Sequence, residues 1–283
     1  MKKHNPIYIN GNAEFDRIAR KERWQGNGTK RNPYIIENLE IDGKGTSYPY
    51  CIFVENTDVY FIIRNCRLFN AKKSTDPWGC GIYLKHVKNG TITNNECIEN
   101  LNDGIFIDFS SNNLITNNSC ISNGDDGIFI VASSNNIITN NTCISNKCYG
   151  INIVSTLSKN NVIINNTCIS NNKDGIHIPG PSNNTISNNN FIKNIRDGIR
   201  LWTSSNNIIK NNNCIANSGH GINLWGSSCN NLITNNVCIK NNNKGINLID
   251  SSDNNLITNN NTDSIIIDDT SSNNFVRHCV EMK

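Results

Sequence analysis

Short stretches in which aliphatic and polar residues alternate recur along most of this chain, each bounded by Gly or Asn. One such unit runs Gly104-Ile105-Phe106-Ile107, then Asn112-Asn113, Leu114-Ile115-Thr116, Asn117-Asn118, Cys120-Ile121 and Asn123. Glycines opening the first stretch stand at 81, 104, 127, 150, 175, 198, 221 and 245, at intervals of 23, 23, 23, 25, 23, 23 and 24. The stretches are too short and too β-branched for helices, and their period of two predicts strands. In Gly-Ile-x-Ile the two aliphatics face one way and the residue between them the other.

A repeat of this length with three strands per unit predicts a solenoid: a right-handed, three-walled parallel β-helix of about ten coils. Stacked at the strand spacing of about 4.8 Å, ten coils make a rod roughly 45–50 Å long. From the first Asn of the pair after the glycine strand to the next Gly the distance is always 15 residues, from Asn89–Gly104 to Asn230–Gly245. Two corners are therefore constant, and insertions such as that around Ser155–Lys159 fall at the third. Residues 13–24 read as a short amphipathic helix whose Phe15, Ile18 and Ala19 cover the open first coil. Residues 1–34 are expected to form a cap and entry segment and 35–283 the β-helix. The last coil, at Ser264-Ile265-Ile266-Ile267, is shortened and has no evident cap.

Composition supports one elongated domain. Only 36% of the 283 residues are hydrophobic, while about a fifth are Asn, which suits a thin apolar column better than a globular core. A net charge of +3 without a basic run argues against nucleic acid. No stretch is apolar enough to span a membrane. The opening Met-Lys-Lys-His-Asn-Pro lacks the apolar segment of a secretory signal, so the chain is either intracellular or an excised mature domain.

The opener Ile9-Asn10-Gly11-Asn12, with Gly26-Asn27-Gly28-Thr29, Pro33-Tyr34-Ile35-Ile36 and Ile41-Asp42-Gly43, resembles the start of archaeal NosD-type β-helix proteins. The repeat is similar to that of the carbohydrate-binding and sugar-hydrolase β-helix superfamily. The resemblance covers nearly the whole chain and implies the fold; repeats of this kind are scaffolds and carry activity only in grafted sites. It implies work outside the cell, at a surface or as part of a longer surface protein. The NosD name also implies copper supply to nitrous oxide reductase. Against that stand two methionines, five scattered histidines and no exposed cluster of soft ligands.

Cys97, Cys120, Cys143, Cys168, Cys214 and Cys238 share one repeat position, and Phe191 takes it in the remaining coil. A position that accepts Phe is apolar, so these thiols are expected to stack inside, and no zinc spacing is present. The Asn rows are expected to form amide ladders between coils. Chemistry is expected on the outward face of the glycine strands. Tyr83, Phe106, Phe129, Trp202, Trp225 and His220 are the candidates for substrate binding, and Asp103, Asp126, Asp174, Asp197, His177 and Arg200 for catalysis. Ring faces suit the C–H surfaces of sugars, and stacked carboxylates about 5–9 Å apart suit glycoside hydrolysis. The same aspartates are equally good corner residues before Gly, and stacked pairs of them could take calcium. Gly124-Asp125-Asp126 and Gly219-His220-Gly221 resemble polygalacturonase signatures but lie four coils apart, roughly 19 Å, too far to share a bond. The leading expectation is an extracellular or cell-surface β-helix that binds polysaccharide and, if its acids act, processes it as a hydrolase or lyase. No cofactor is expected. The alternative is a structural module of an archaeal envelope without catalysis.

Overall fold

A three-residue strand buries too little to persist alone, but coil stacked on coil gives each strand two neighbours. The computed structural model, which describes residues 1–72 and 79–281, is a right-handed parallel β-helix of about ten coils with one short helix. Among the described residues the strands form three parallel sheets of 11, 11 and 12 members, one sheet per wall. In the glycine wall Ile105 pairs with Ile128 and Phe106 with Phe129. In the middle wall Leu114 pairs with Ile137. In the cysteine wall Cys97, Cys120, Cys143 and Cys168 pair in succession, then Phe191, Cys214 and Cys238. All seven are fully buried, as the substitution of Phe implied.

The glycine and cysteine columns require each other. A Cβ on Gly104 would lie 2.8 Å from the sulfur of Cys120 and 2.6 Å from the carbonyl oxygen of Gly127. The thiol column fills the space where a side chain would go, so this position admits only Gly.

The Asn pairs divide into two roles. The first residue of each pair sits at a corner in the left-handed region, with φ of 58° at Asn112 and 55° at Asn117. Asn accepts that conformation better than most residues. The second residue points inward and builds the ladder. Asn118 Oδ1 accepts the backbone N–H and the side-chain amide of Asn95, both at 3.0 Å, and Asn118 Nδ2 donates to Ile92 O at 2.9 Å. The buried corner backbone is satisfied this way in coil after coil.

Strands Lys2–Lys3 and Ile7–Asn10 already belong to the cysteine and glycine walls, so residues 1–34 hold both the cap and the beginning of the solenoid. Helix α1 (Asn12–Glu22) follows and buries Phe15 and Ala19. The Phe15 ring stacks on Tyr34 at 5.0 Å and meets Phe61 at 5.2 Å, closing the first coil. At the far end Thr262 takes the cysteine position, and Phe275, Val276 and Val280 are exposed on the last coil. Thr156, Leu157 and Lys159 project from the variable corner, while Ser158 keeps the register by accepting the backbone N–H of Ser133. Among the described residues no helix is long and apolar enough to cross a membrane.

Candidate functional site

The outward column of the glycine wall changes character halfway along the rod. In the first half Tyr8, Phe53, Tyr83, Phe106 and Phe129 stack with centroids 5.2, 4.4, 4.6 and 5.0 Å apart. Rings repeated at the strand spacing cover one another's faces, and Cys80 and Val131 pack against the group. Tyr83 is 7% and Phe106 2% exposed. These two candidates for sugar stacking are therefore closed to a ligand: outward on a strand is not exposed when neighbours of the same shape lie above and below. Phe129, the last ring of the stack, is half-buried.

The four candidate acids are likewise turned to structure. Asp103, Asp126, Asp174 and Asp197 are buried at the corner before the glycine. Oδ1 of each accepts the backbone N–H of the equivalent residue one coil on: Asp126, Tyr149, Asp197 and His220, at 2.7–3.0 Å. The second oxygens of Asp126 and Asp197 accept Asn152 Nδ2 and Asn223 Nδ2, each at 2.8 Å. Carboxylates held this way do not reach out to bracket a glycosidic bond. Burial, reinforced by neighbouring acids, pushes Asp126 and Asp174 up to about 7 and Asp103 well above the usual carboxylate range. His220 continues the same column: its Nδ1 accepts the backbone N–H of Lys244 at 3.2 Å, as an aspartate would.

In the second half of the rod the outward column becomes Asn152, His177, Arg200, Asn223 and Asn247. The Tyr149 ring stacks on His177 at 4.4 Å, and the Lys173 ammonium lies 4.8 Å from the Tyr149 centroid. The Arg200 guanidinium lies 4.9 Å from the Trp225 centroid, and Trp225 stacks on Trp202 at 5.5 Å and 16°. The tryptophans thus cover each other in part, yet Trp202 remains 43% exposed. Among the described residues, six buried side-chain N or O atoms have no hydrogen-bond partner, and four are here: Asn152 Oδ1, Asp174 Oδ2, His177 Nδ1 and Arg200 Nε. An unpaired buried polar atom costs about 1–3 kcal/mol, so this stretch of the wall is held at a cost in stability. Burial, then Arg200, Lys173 and Arg196, depress His177 to about 4, leaving it a neutral imidazole at physiological pH.

His177, Arg200, Trp202 and Trp225 are thus brought together, Phe129 lies at the margin, and Tyr83 and Phe106 lie elsewhere on the wall. Tyr149, Asn152, Lys173 and Arg196 were not among the sequence candidates. Lys173 and Arg196 stand two residues before the glycine, in the column Asp125–Cys148–Lys173–Arg196. A switch from acid to base along that column was the available signal. Two concavities elsewhere lie at the ends of the rod, one lined by Lys3, His4, Arg17 and Trp24, the other by Ile265, Ile267, Val276 and Cys279.

Asp125, Asp126 and Cys148 bring two carboxylates and a thiol within 4.8 Å of one another. This set does not fit copper, which prefers thiolate, thioether and imidazole. Burial and Asp125 push the Cys148 thiol up to about 11, the Lys173 ammonium lies beside it, and both Asp126 oxygens are engaged. The ladder thiols are sealed inside the rod.

Residues 4–196 match the family described as "Periplasmic copper-binding protein (NosD)", and residues 153–280 match the "Right handed beta helix region". No match to a curated protein sequence is found. Similar solved structures include the A-module of the Azotobacter vinelandii mannuronan C-5 epimerase AlgE6, at 16% identity and a TM-score of 0.65, over 88% of this chain and 74% of that one. The periplasmic alginate epimerase AlgG superposes over 98% and 84% of the two chains, at 16% identity and a TM-score of 0.64. PfbA, a surface adhesin of Streptococcus pneumoniae, does so over 87% and 78%, at 16% and 0.66. At such identities the likeness shows the fold alone.

Proposed function

The chain belongs to the NosD family, and from that premise we propose that it is a glycan-binding β-helix whose ligand lies along the second half of the glycine wall. The observation that carries this reading is the pairing of a stacked, solvent-facing Trp202–Trp225 platform with the half-buried His177 and Arg200 on the same wall. Aromatic faces take the C–H surface of a sugar, while amide, imidazole and guanidinium groups take its hydroxyls. An open wall repeating at about 4.8 Å suits an extended polymer better than a small molecule. The named neighbours support a polysaccharide partner through the mannuronan and alginate epimerases, and a place outside the cytoplasm through the periplasmic epimerase and the surface adhesin, as does the family's periplasmic description.

The aspartates have no part in this reading, and binding does not require them. Copper supply is not supported, because the group of three possible ligands found among the described residues has the wrong donors. The test is affinity electrophoresis through gels containing different polysaccharides, comparing wild type with the Trp202→Ala/Trp225→Ala double variant. Retardation of the wild type by at least one polymer, lost in the variant with circular dichroism unchanged, is expected. A wild type that no polymer retards would leave the wall as a packing face and the protein as a structural module.

A further inference from the structure

Resting on that reading, we propose that the glycan is anionic, and that carboxylates on successive sugars are met by Lys173, Arg196 and Arg200. The charge on the wall is the reverse of what its aspartates suggest. Asp174 and Asp197 are buried and hydrogen-bonded to backbone, whereas Lys173 and Arg200 are half-buried and Arg196 and Lys244 exposed around the same coils. With His177 neutral and Asp174 half-protonated near pH 7, the field a ligand meets is positive.

Geometry points the same way. Lys173 and Arg196 are consecutive members of one column, the N–H of Arg196 donating to the carbonyl of Lys173 at 3.2 Å. At the coil spacing of about 4.8 Å, a polymer along the rod would meet Lys173 on one coil and Arg196 with Arg200 on the next. Arg200 lies on the next strand of the same wall. Its plane is held against Trp225, and its buried Nε has no acceptor. A guanidinium held over an aromatic ring and half open to solvent suits a planar carboxylate, which can accept hydrogen bonds from its terminal N–H groups. Beyond Arg196 the column continues with Gly219, where a Cβ would collide with Asp197 and Arg196, so no side chain at that position covers Arg196.

The experiment is calorimetric titration with oligomannuronate and oligogalacturonate, each beside its carboxyl-reduced counterpart, in which the carboxylate becomes a hydroxymethyl group. The proteins are wild type, Arg196→Gln/Arg200→Gln, Lys173→Gln as the milder change, and Trp202→Ala/Trp225→Ala. At least one uronate oligomer should bind wild type at least about tenfold tighter than its reduced form, the scale of one charge-assisted hydrogen bond. The gap should shrink in high salt and close in the arginine variant, with a smaller loss in Lys173→Gln. The tryptophan variant should lose both forms. Equal or tighter binding of the reduced oligomers would overturn the anionic proposal and spare glycan binding. No binding of any oligomer by folded wild type would overturn both.

Discussion

Asn165 and Asn166 are neighbours of the same type whose replacement should have opposite consequences. Asn166 Oδ1 accepts the backbone N–H of Asn141 at 2.9 Å and its side-chain amide at 3.0 Å, and Asn166 Nδ2 donates to Ile138 O at 2.8 Å and Asn189 Oδ1 at 3.1 Å. Ala at 166 removes these four bonds and a fifth, from Asn166 Nδ2 to Ile164 O at 3.1 Å. The Asn141 amide keeps Ile115 O, and Asn189 Oδ1 keeps the backbone N–H of residue 166, but the Asn141 backbone N–H is left buried without an acceptor. One orphaned donor at about 1–3 kcal/mol, with the Asn141 amide bond and the two N–H groups of the lost amide at about 1 kcal/mol each, gives a total of about 4–6 kcal/mol. Asn165 is exposed, with φ of 57°. Gly there should change stability by less than about 0.5 kcal/mol, and Ala should cost about 1 kcal/mol for the left-handed backbone. Urea unfolding followed by circular dichroism measures both. Hydrogen exchange should place the damage in Asn166→Ala on the coils next to residue 166, because a solenoid passes strain to its nearest neighbours. If Asn166→Ala costs no more than Asn165→Ala, the division of the pairs into corner and ladder residues is wrong.

Asp174 tests the buried acids. Its pKa is raised to about 7, so the folded protein keeps a proton that the unfolded chain releases near pH 4, and stability falls as pH rises between those values. Asp174→Asn cannot ionise and keeps an acceptor for the Asp197 N–H. It should match wild type near pH 4 and exceed it by about 2 kcal/mol at pH 8, about half the full linkage value; parallel stability curves would refute this. Gly226 has φ of 64°, and a Cβ on it would lie 2.6 Å from the Trp202 ring. Gly226→Ala should displace Trp202 from Trp225 and alter the tryptophan emission, so an unchanged spectrum would show that Gly226 does not hold the stack. Of the twelve free thiols only Cys148, Cys229 and Cys279 are not fully buried. Iodoacetamide should label at most these three in the native protein, and labelling of any ladder cysteine before unfolding would contradict the fold.

The interior was legible in the residues because each inward position has a single environment repeated many times. Phe191 among the cysteines showed that position to be apolar, and the constant 15-residue segment located the rigid corners. The outward wall was harder, for a physical reason. Period two says which way a side chain points but not what lies over it, so Tyr83 and Phe106 were expected to be open when their own stack closes them. Asp before Gly satisfies both a corner backbone and a catalytic pattern, and only the hydrogen bonds from the next coil decide between them. The site itself lies where the columns lose their repetition. Tyr149 interrupts the aspartates, Asn152 ends the aromatic run after Phe129, and Lys173 replaces Asp125 and Cys148 in its column, all within about two coils. A scaffold column is selected for sameness, since each member must fit the one above and the one below. A residue that breaks its column gives up a matched neighbour, and where three columns break together, a partner outside the coil is the compensation to look for.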